Sequence, residues 1–299
     1  MKIKITGTKG YIVETLLPYL QKKYPSADVR AISVRDANVD LSGTDILIHV
    51  AGLIPGKATN SKEYYRINHG LTVKLAEQAK CVGVKHMIYF STIAVYGRVP
   101  LIKNKVTFEE GTEQPATPYG DSKLQAERAL RRLETDEFKV AILRIPDVYG
   151  NKNIDYLQRY INIANKYYKV GGYNPIIWNN KKRSAVHIDN LIACVQGIIE
   201  ECWSGVLIPH DREPLSTYEY IQLISRIRQM KLKSSKPLGW GVWILQQITG
   251  KFEFFYGSFD ASNDLKAPFS YQMMTAAEAC EITLEKLSDG VSMDESEDY

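Results

Sequence analysis

Short apolar runs alternate with longer amphipathic ones through the first half of the chain, and this rhythm narrows the possible folds more than any other feature. The runs Lys2 to Thr6, Asp28 to Ser33, Ile46 to Val50, Met87 to Ser91 and Lys139 to Arg144 have the length and branched content of buried strands. Between them lie helical stripes: Leu16, Leu17 and Leu20 in Tyr11 to Lys23, Leu71, Leu75 and Ala79 in Asn68 to Val82, and Leu124, Ala126 and Leu130 in Pro118 to Leu133. Each stripe needs a sheet to cover it. Strands separated by helices pair in parallel with helices on both faces, so the expected fold is α/β with a doubly wound parallel sheet. After about Gly150 the rhythm fades into a Tyr- and Asn-rich stretch, Tyr156 to Asn180, with further helices near Asp189 to Cys202, Thr217 to Met230 and Thr275 to Leu287. The expected division is therefore a first domain over 1–150, a smaller lobe over 151–288 whose chain crosses back to the first, and an acidic tail over 289–299, frayed for want of apolar surface.

Composition removes the alternatives. With 299 residues, 44% hydrophobic and 24% charged, the chain is neither collagen-like, nor a coiled coil, nor disordered. Cys81, Cys194, Cys202 and Cys280 include no C-x-x-C pair, which predicts free thiols in a reducing compartment and no metal site. Met1 to Ile5 leaves no room for a leader's apolar region, and Leu238 to Leu245 is far short of the ~18 residues of a membrane span, so a cytoplasmic protein without membrane contact is expected. The net charge of +4 includes five acids and no base in Asp289 to Tyr299, so the body is basic and suited to anionic ligands. Its lysines and arginines are scattered, which does not favour nucleic acid.

The first strand ends in Thr6-Gly7-Thr8-Lys9-Gly10-Tyr11-Ile12-Val13 and opens a helix. Glycines there let the backbone approach a pyrophosphate, and the free N–H groups of the helix start attract its charge, as in a Rossmann-type dinucleotide site. At the end of the second strand an acid would hold the ribose hydroxyls of NAD. Ser33 stands there instead, and Arg35 two residues on suits the 2′-phosphate of NADP, so the reading leans to NADP over NAD.

Tyr119 and Lys123 are four residues apart on one helix face. A phenol with a pKa near ~10 is a poor base at neutral pH, and a nearby cation favours its phenolate, so the pair suits proton exchange with a substrate hydroxyl.

Together these motifs resemble the extended short-chain dehydrogenase/reductase family of nucleotide-sugar epimerases, dehydratases and reductases. The resemblance rests on the glycine turn, on His49-Val50-Ala51-Gly52, on Asn68 in Asn-x-x-Leu-Thr, on Ser91-Thr92-Ile93-Ala94-Val95-Tyr96-Gly97, on Tyr119-x-x-x-Lys123, on Leu143 to Gly150 and on Arg183 to Leu191. It implies that the dinucleotide lies against Gly7, Lys9, Gly10, Tyr11, Ile12, Ser33, Arg35, Asp40, Leu41, Val50, Ala51, Gly52, Asn68, Tyr119 and Lys123. Thr92 becomes the catalytic hydroxyl, with Ser91 beside it. Asp147 and Arg183 fall on the substrate side, Arg183 at the nucleotide diphosphate, while Lys181 and Lys182 are read as solvated and His187 as a packed histidine. Val13 departs from a family glycine or alanine, and Asp147 stands where the family often has asparagine. What the resemblance implies is a homodimeric enzyme moving hydride at a sugar ring carbon, C4 above others. A 4-keto-sugar reductase consuming NADPH and a non-catalytic NADP-binding regulator are the alternatives.

Overall fold

The computed structural model describes residues 1–34, 39–97, 111–169, 173–174, 182–234, 241 and 267–290. β1 (Lys2–Thr6) leads into α1 (Tyr11–Lys23), β2 (Asp28–Ile32) and β3 (Ile46–His49). α2 (Ser61–Tyr64) continues through a π-helical segment, Tyr65–Leu71, into α3 (Thr72–Cys81). β4 (His86–Thr92), a 3-10 turn (Ile93–Tyr96), α4 (Pro118–Leu133) and β5 (Lys139–Ile145) complete the first half. Then come β6 (Asp147–Tyr149), α5 (Asp155–Lys169), β7 (Tyr173–Asn174), β8 (Lys182–Arg183), β9 (Ala185–His187), α6 (Ile188–Glu200), β10 (Gly205–Leu207), β11 (Leu215–Ser216), α7 (Thr217–Ile227), β12 (Lys233–Ser234) and α8 (Ala276–Gly290).

Six strands pair in parallel in the order β10-β5-β4-β3-β1-β2, the doubly wound sheet that the alternation predicts. Period-two alternation splits their side chains between two cores. Ile3, Ile5, Ile48, Ile88, Phe90 and Leu143 face α1 and α6, whereas Leu47, Met87, Tyr89, Val140 and Ile142 face α3 and α4. The chain leaves β1 towards β2 on one side and resumes with β3 on the other. A sheet opens its ligand crevice at such a reversal, beyond the carboxyl ends of the strands, and Gly7 and Ala51 both lie there.

Two elements differ from expectation. The helix read as Asn68 to Val82 begins at Ser61, because Asn60 caps it by accepting from the Glu63 amide, and its π-helical stretch obscures the 3.6-residue period. The place of β10 has no mark in the sequence: three residues leave no periodic signal, and pairing with β5 is what makes them a strand. Through α6 and β10 the chain returns from the second half to the main sheet. α5, α7 and α8 pack around Tyr149, Tyr156, Tyr160 and Tyr220. The tail beyond Gly290, Arg35, Lys181, most of the Tyr- and Asn-rich stretch and Leu238 to Leu245 other than Gly241 lie outside the described residues. Among the described residues no helix is long and apolar enough to cross a membrane, and no three His, Cys, Asp or Glu side chains gather as a metal site. The four cysteines are free thiols.

Candidate active site

The centre of the site is a ladder between α4 and the last residues of β4. Thr117 caps α4, accepting at 3.1 Å from the Gly120 amide, and Pro118 fills the first helical turn, so the helix starts abruptly and carries Tyr119 at its mouth. Residues four apart lie above one another on a helix. Accordingly Tyr119, Lys123 and Glu127 face β4 in successive turns. Tyr119 hydrogen-bonds the Thr92 side chain; Lys123 Nζ donates to the Phe90 carbonyl at 2.8 Å; and the Ser91 hydroxyl donates to Glu127.

Burial decides the electrostatics of this ladder. It pushes the Tyr119 phenol up from its ordinary value, and the Thr92 bond works against that rise. Burial also drives the Lys123 ammonium down to about 8, with Glu127 acting to raise it. The ammonium sits 4.8 Å from the centre of the Tyr89 ring. Beyond Tyr89, whose ring stacks on His49 at 5.7 Å, Thr6 and Thr72 hydrogen-bond the two His49 ring nitrogens at 2.7 and 2.9 Å. Burial and Lys123 lower the His49 pKa to about 3, so this ring is neutral at every working pH.

Ser91 donates its hydroxyl to Glu127, while Thr92 is the hydroxyl that meets Tyr119. Behind Ser91 lies a buried cation, Arg144, which stands in the Leu143 to Gly150 motif with no role assigned to it there. Arg144 donates to Glu127 through Nε at 3.1 Å and Nη2 at 2.7 Å, and also to Glu113 and the Tyr96 hydroxyl. The spacing of four that sets Tyr119 and Lys123 on one face continues to Glu127.

The glycine turn fits a dinucleotide. Gly7 has φ +98°, and a side chain there would meet Val13 Cγ2 and the Ala51 backbone at 3.6 to 3.8 Å. Val13, buried beneath the turn, therefore packs without closing it. Gly10 begins α1 with no side-chain cap, which leaves the first-turn amides of Tyr11 and Ile12 for an anion. Lys9 is exposed beside them. Ala51 donates its amide to Thr6 Oγ1 at 3.1 Å, and a Cβ on Gly52 would lie 3.2 Å from Lys123 Nζ and 3.0 Å from Asn68 Oδ1. Asn68 is fully used: its side chain bonds both the Leu53 amide and the Leu53 carbonyl, at 2.7 and 3.0 Å. Further out, Ser33 is half-buried and Leu41 buried, while Asp40 accepts from the Ser42 amide at 2.9 Å and lies 3.8 Å from Lys4 Nζ. The structure thus brings the first and third strand ends together with α4; Arg35 falls outside the described residues.

On the substrate side, Asp147 begins β6 and Arg183 ends β8, both half-buried. Asp147 lies 3.9 Å from Arg159, so its charge is matched, and Arg183 acts electrostatically on the buried Tyr156 and Tyr160 phenols. His187 is wholly buried and caps α6, its Nδ1 accepting from the Asp189 amide at 3.2 Å. Lys182 pairs with Glu219 at 2.7 Å instead of standing free in solvent. Tyr11 reaches across from the glycine turn, its hydroxyl donating to the Gly150 carbonyl at 2.6 Å.

A profile described as the NAD dependent epimerase/dehydratase family matches residues 3–206. The UDP-glucose 4-epimerase of Vibrio cholerae is 28% identical over 248 residues, which span 78% of this chain and 71% of that protein. That of Yersinia pestis is 32% identical over 136 residues, 44% of this chain and 39% of the relative. Among solved structures, MoeE5 in complex with UDP-glucuronic acid and NAD has a TM-score of 0.65 at 21% identity, covering 97% of this chain and 100% of its own. The dTDP-4-dehydrorhamnose reductase of Bacillus anthracis in complex with NADP also has a TM-score of 0.65, at 18% identity and with 95% and 99% covered. At these identities the structural likeness concerns the fold.

Proposed function

Because the chain belongs to the NAD-dependent epimerase/dehydratase family, we propose that it epimerises a nucleotide sugar at C4, with Tyr119 as the acid and base. The observation that carries this reading is the contact of Tyr119 with Thr92 one helical turn from a buried lysine, beside a glycine turn open to a pyrophosphate. When bound, a nicotinamide dinucleotide supplies a reversible hydride acceptor. The chain's own residues do the rest. Gly7 and the amides of Gly10, Tyr11 and Ile12 hold the pyrophosphate, and Lys123 holds the nicotinamide ribose while its charge favours the phenolate. Thr92 fixes the sugar hydroxyl, and Tyr119 takes that hydroxyl's proton as its carbon gives up hydride; the reverse transfer to the other face of the sugar completes inversion. Arg183, a fork suited to phosphate oxygens, binds the nucleotide diphosphate. The homodimer and cytoplasmic location implied by the resemblance belong to this same reading.

The test is conversion of UDP-glucose to UDP-galactose in the presence of NAD, without net reduction of cofactor. Tyr119→Phe is expected to lower turnover by about 10²–10⁴-fold and to leave NADH binding intact. Full activity in Tyr119→Phe overturns the assignment. The absence of an acid at Ser33 favours a second reading, a 4-keto-sugar reductase using NADPH; it would show as stoichiometric NADPH oxidation and no isomerisation. Cofactor binding without either reaction would make the protein a regulator.

A further inference from the structure

Glu127 is 3% exposed and Lys123 5%, one turn apart on α4, and they grip adjacent residues of β4, Ser91 and Phe90. Glu127 is held on its far side by two bonds from Arg144, a residue of β5, and Arg144 also reaches Tyr96 in the 3-10 turn and Glu113 ahead of α4. One buried carboxylate thus joins the helix carrying Tyr119 to the strand carrying Thr92. It also leaves two acids against one arginine directly behind the lysine.

We propose that Glu127 is a positioning residue of the active site, keeping Lys123 protonated and holding Tyr119 in register with Thr92. The inference rests on the role given above to Lys123. A buried ammonium without a compensating charge gives up its proton, and here the Phe90 carbonyl and the Tyr89 ring supply only partial charges. Every other group facing this pair is fixed in charge between pH 6 and 9.5. His49 titrates at about 3, Arg144 stays protonated, burial raises Tyr89, Tyr96 and Tyr119, and Arg144 holds Glu113 low despite its burial. Burial raises Glu127 itself, and the bonds from Arg144 and Ser91 work against that rise. Lys123, at about 8, is the group whose value falls inside the window.

That isolation makes the proposal testable in the protein without cofactor. Glu127→Gln keeps the shape and the bonds, because the amide oxygen accepts from Arg144 and the Ser91 hydroxyl turns to accept. Urea unfolding of wild type and variant is compared from pH 6 to 9.5. At pH 6 both carry a charged Lys123 in the fold and the variant is at a disadvantage. By pH 9.5 the amine is neutral in both and needs no counter-charge, so the ratio of the two unfolding constants is expected to fall about tenfold or more across the window. A deficit that does not change with pH overturns the charge role. With NADH, the alkaline fall in affinity, followed by fluorescence, is expected to move down by about one pH unit or more. Glu127→Asp, which keeps the charge, is expected to restore both alkaline midpoints; failure to do so counts against the proposal. Should Tyr119→Phe prove fully active, the functional reading fails, while the urea comparison still decides the role of Glu127.

Discussion

Lys123 shows what a single residue costs the fold for the sake of a site. Its ammonium is buried, and burial lowers its pKa from 10.5 to about 8. The folded state therefore holds the proton less tightly than the unfolded one. The penalty is full below about pH 8 and shrinks as pH rises towards 10.5, because above 8 the folded amine is already neutral. At pH 7 it amounts to about 3 kcal/mol, net of what Glu127 returns. Lys123→Met fills the same channel without charge. It is expected to stabilise the cofactor-free protein by about 1 kcal/mol in urea titrations at pH 7 while abolishing turnover. A destabilised variant would mean that the lysine is retained for packing. The pair Tyr119 and Lys123 was legible in the sequence because it repeats at helical spacing. Glu127 was not, since one more carboxylate on a charged helix carries no mark of burial.

At the scale of elements, the site depends on how closely the 3-10 turn, the segment leading to Thr117 and the start of α4 approach one another. Gly97 ends the 3-10 turn at φ +76°, and a Cβ there would lie 2.1 Å from the Gln114 carbonyl oxygen. Gly120 presses on the other side of the same turn, with its missing Cβ 2.4 Å from the Ala94 oxygen. Both obstacles are backbone and cannot swing aside. Gly97→Ala is expected to cost about 2–4 kcal/mol in urea unfolding, from strained backbone and overpacking, and to reduce kcat on the order of 10²-fold by shifting Thr92 against Tyr119. Unchanged kcat with lowered stability would separate the turn from the catalytic geometry. The strands and helices of the first half were readable because each has one apolar face and a marked end: Gly10 before α1, Thr117 and Pro118 before α4. β10 and the π-helical segment escaped because pairing and local hydrogen bonds, rather than period, create them.

For the whole molecule, the decisive joint lies where α6, β6 and the C-terminal segment converge on Asp211. Its Oδ1 accepts from the His187 amide and from Asn190 Nδ2, each at 2.7 Å, and its Oδ2 accepts from the Tyr149 hydroxyl at 2.7 Å. Asn190 in turn takes the Met273 amide at 2.8 Å and donates to the Met274 carbonyl at 3.1 Å, so the segment leading into α8 is tied to α6 beside this carboxyl. Nothing in the local sequence announces the joint, because its partners are 21 to 62 residues away in the chain. Burial outweighs the three bonds and raises the Asp211 pKa from 3.8 to about 6. The folded protein therefore binds this proton more tightly than the unfolded chain, and the contribution to stability is largest below about pH 4. It declines as pH rises to about 6 and stays low above, a loss of about 3 kcal/mol. Asp211→Asn keeps both bonds to its carbonyl oxygen and offers an N–H to the Tyr149 oxygen, but has no proton to lose. The difference in stability between the two proteins should therefore shift in favour of the variant between pH 4 and 6 and hold level from 6 to 8, as read by urea midpoints at those three values. Parallel profiles would mean that the three donors keep the carboxylate charged at low pH, and that the halves of the molecule are joined by a strong anion site rather than by a costly one.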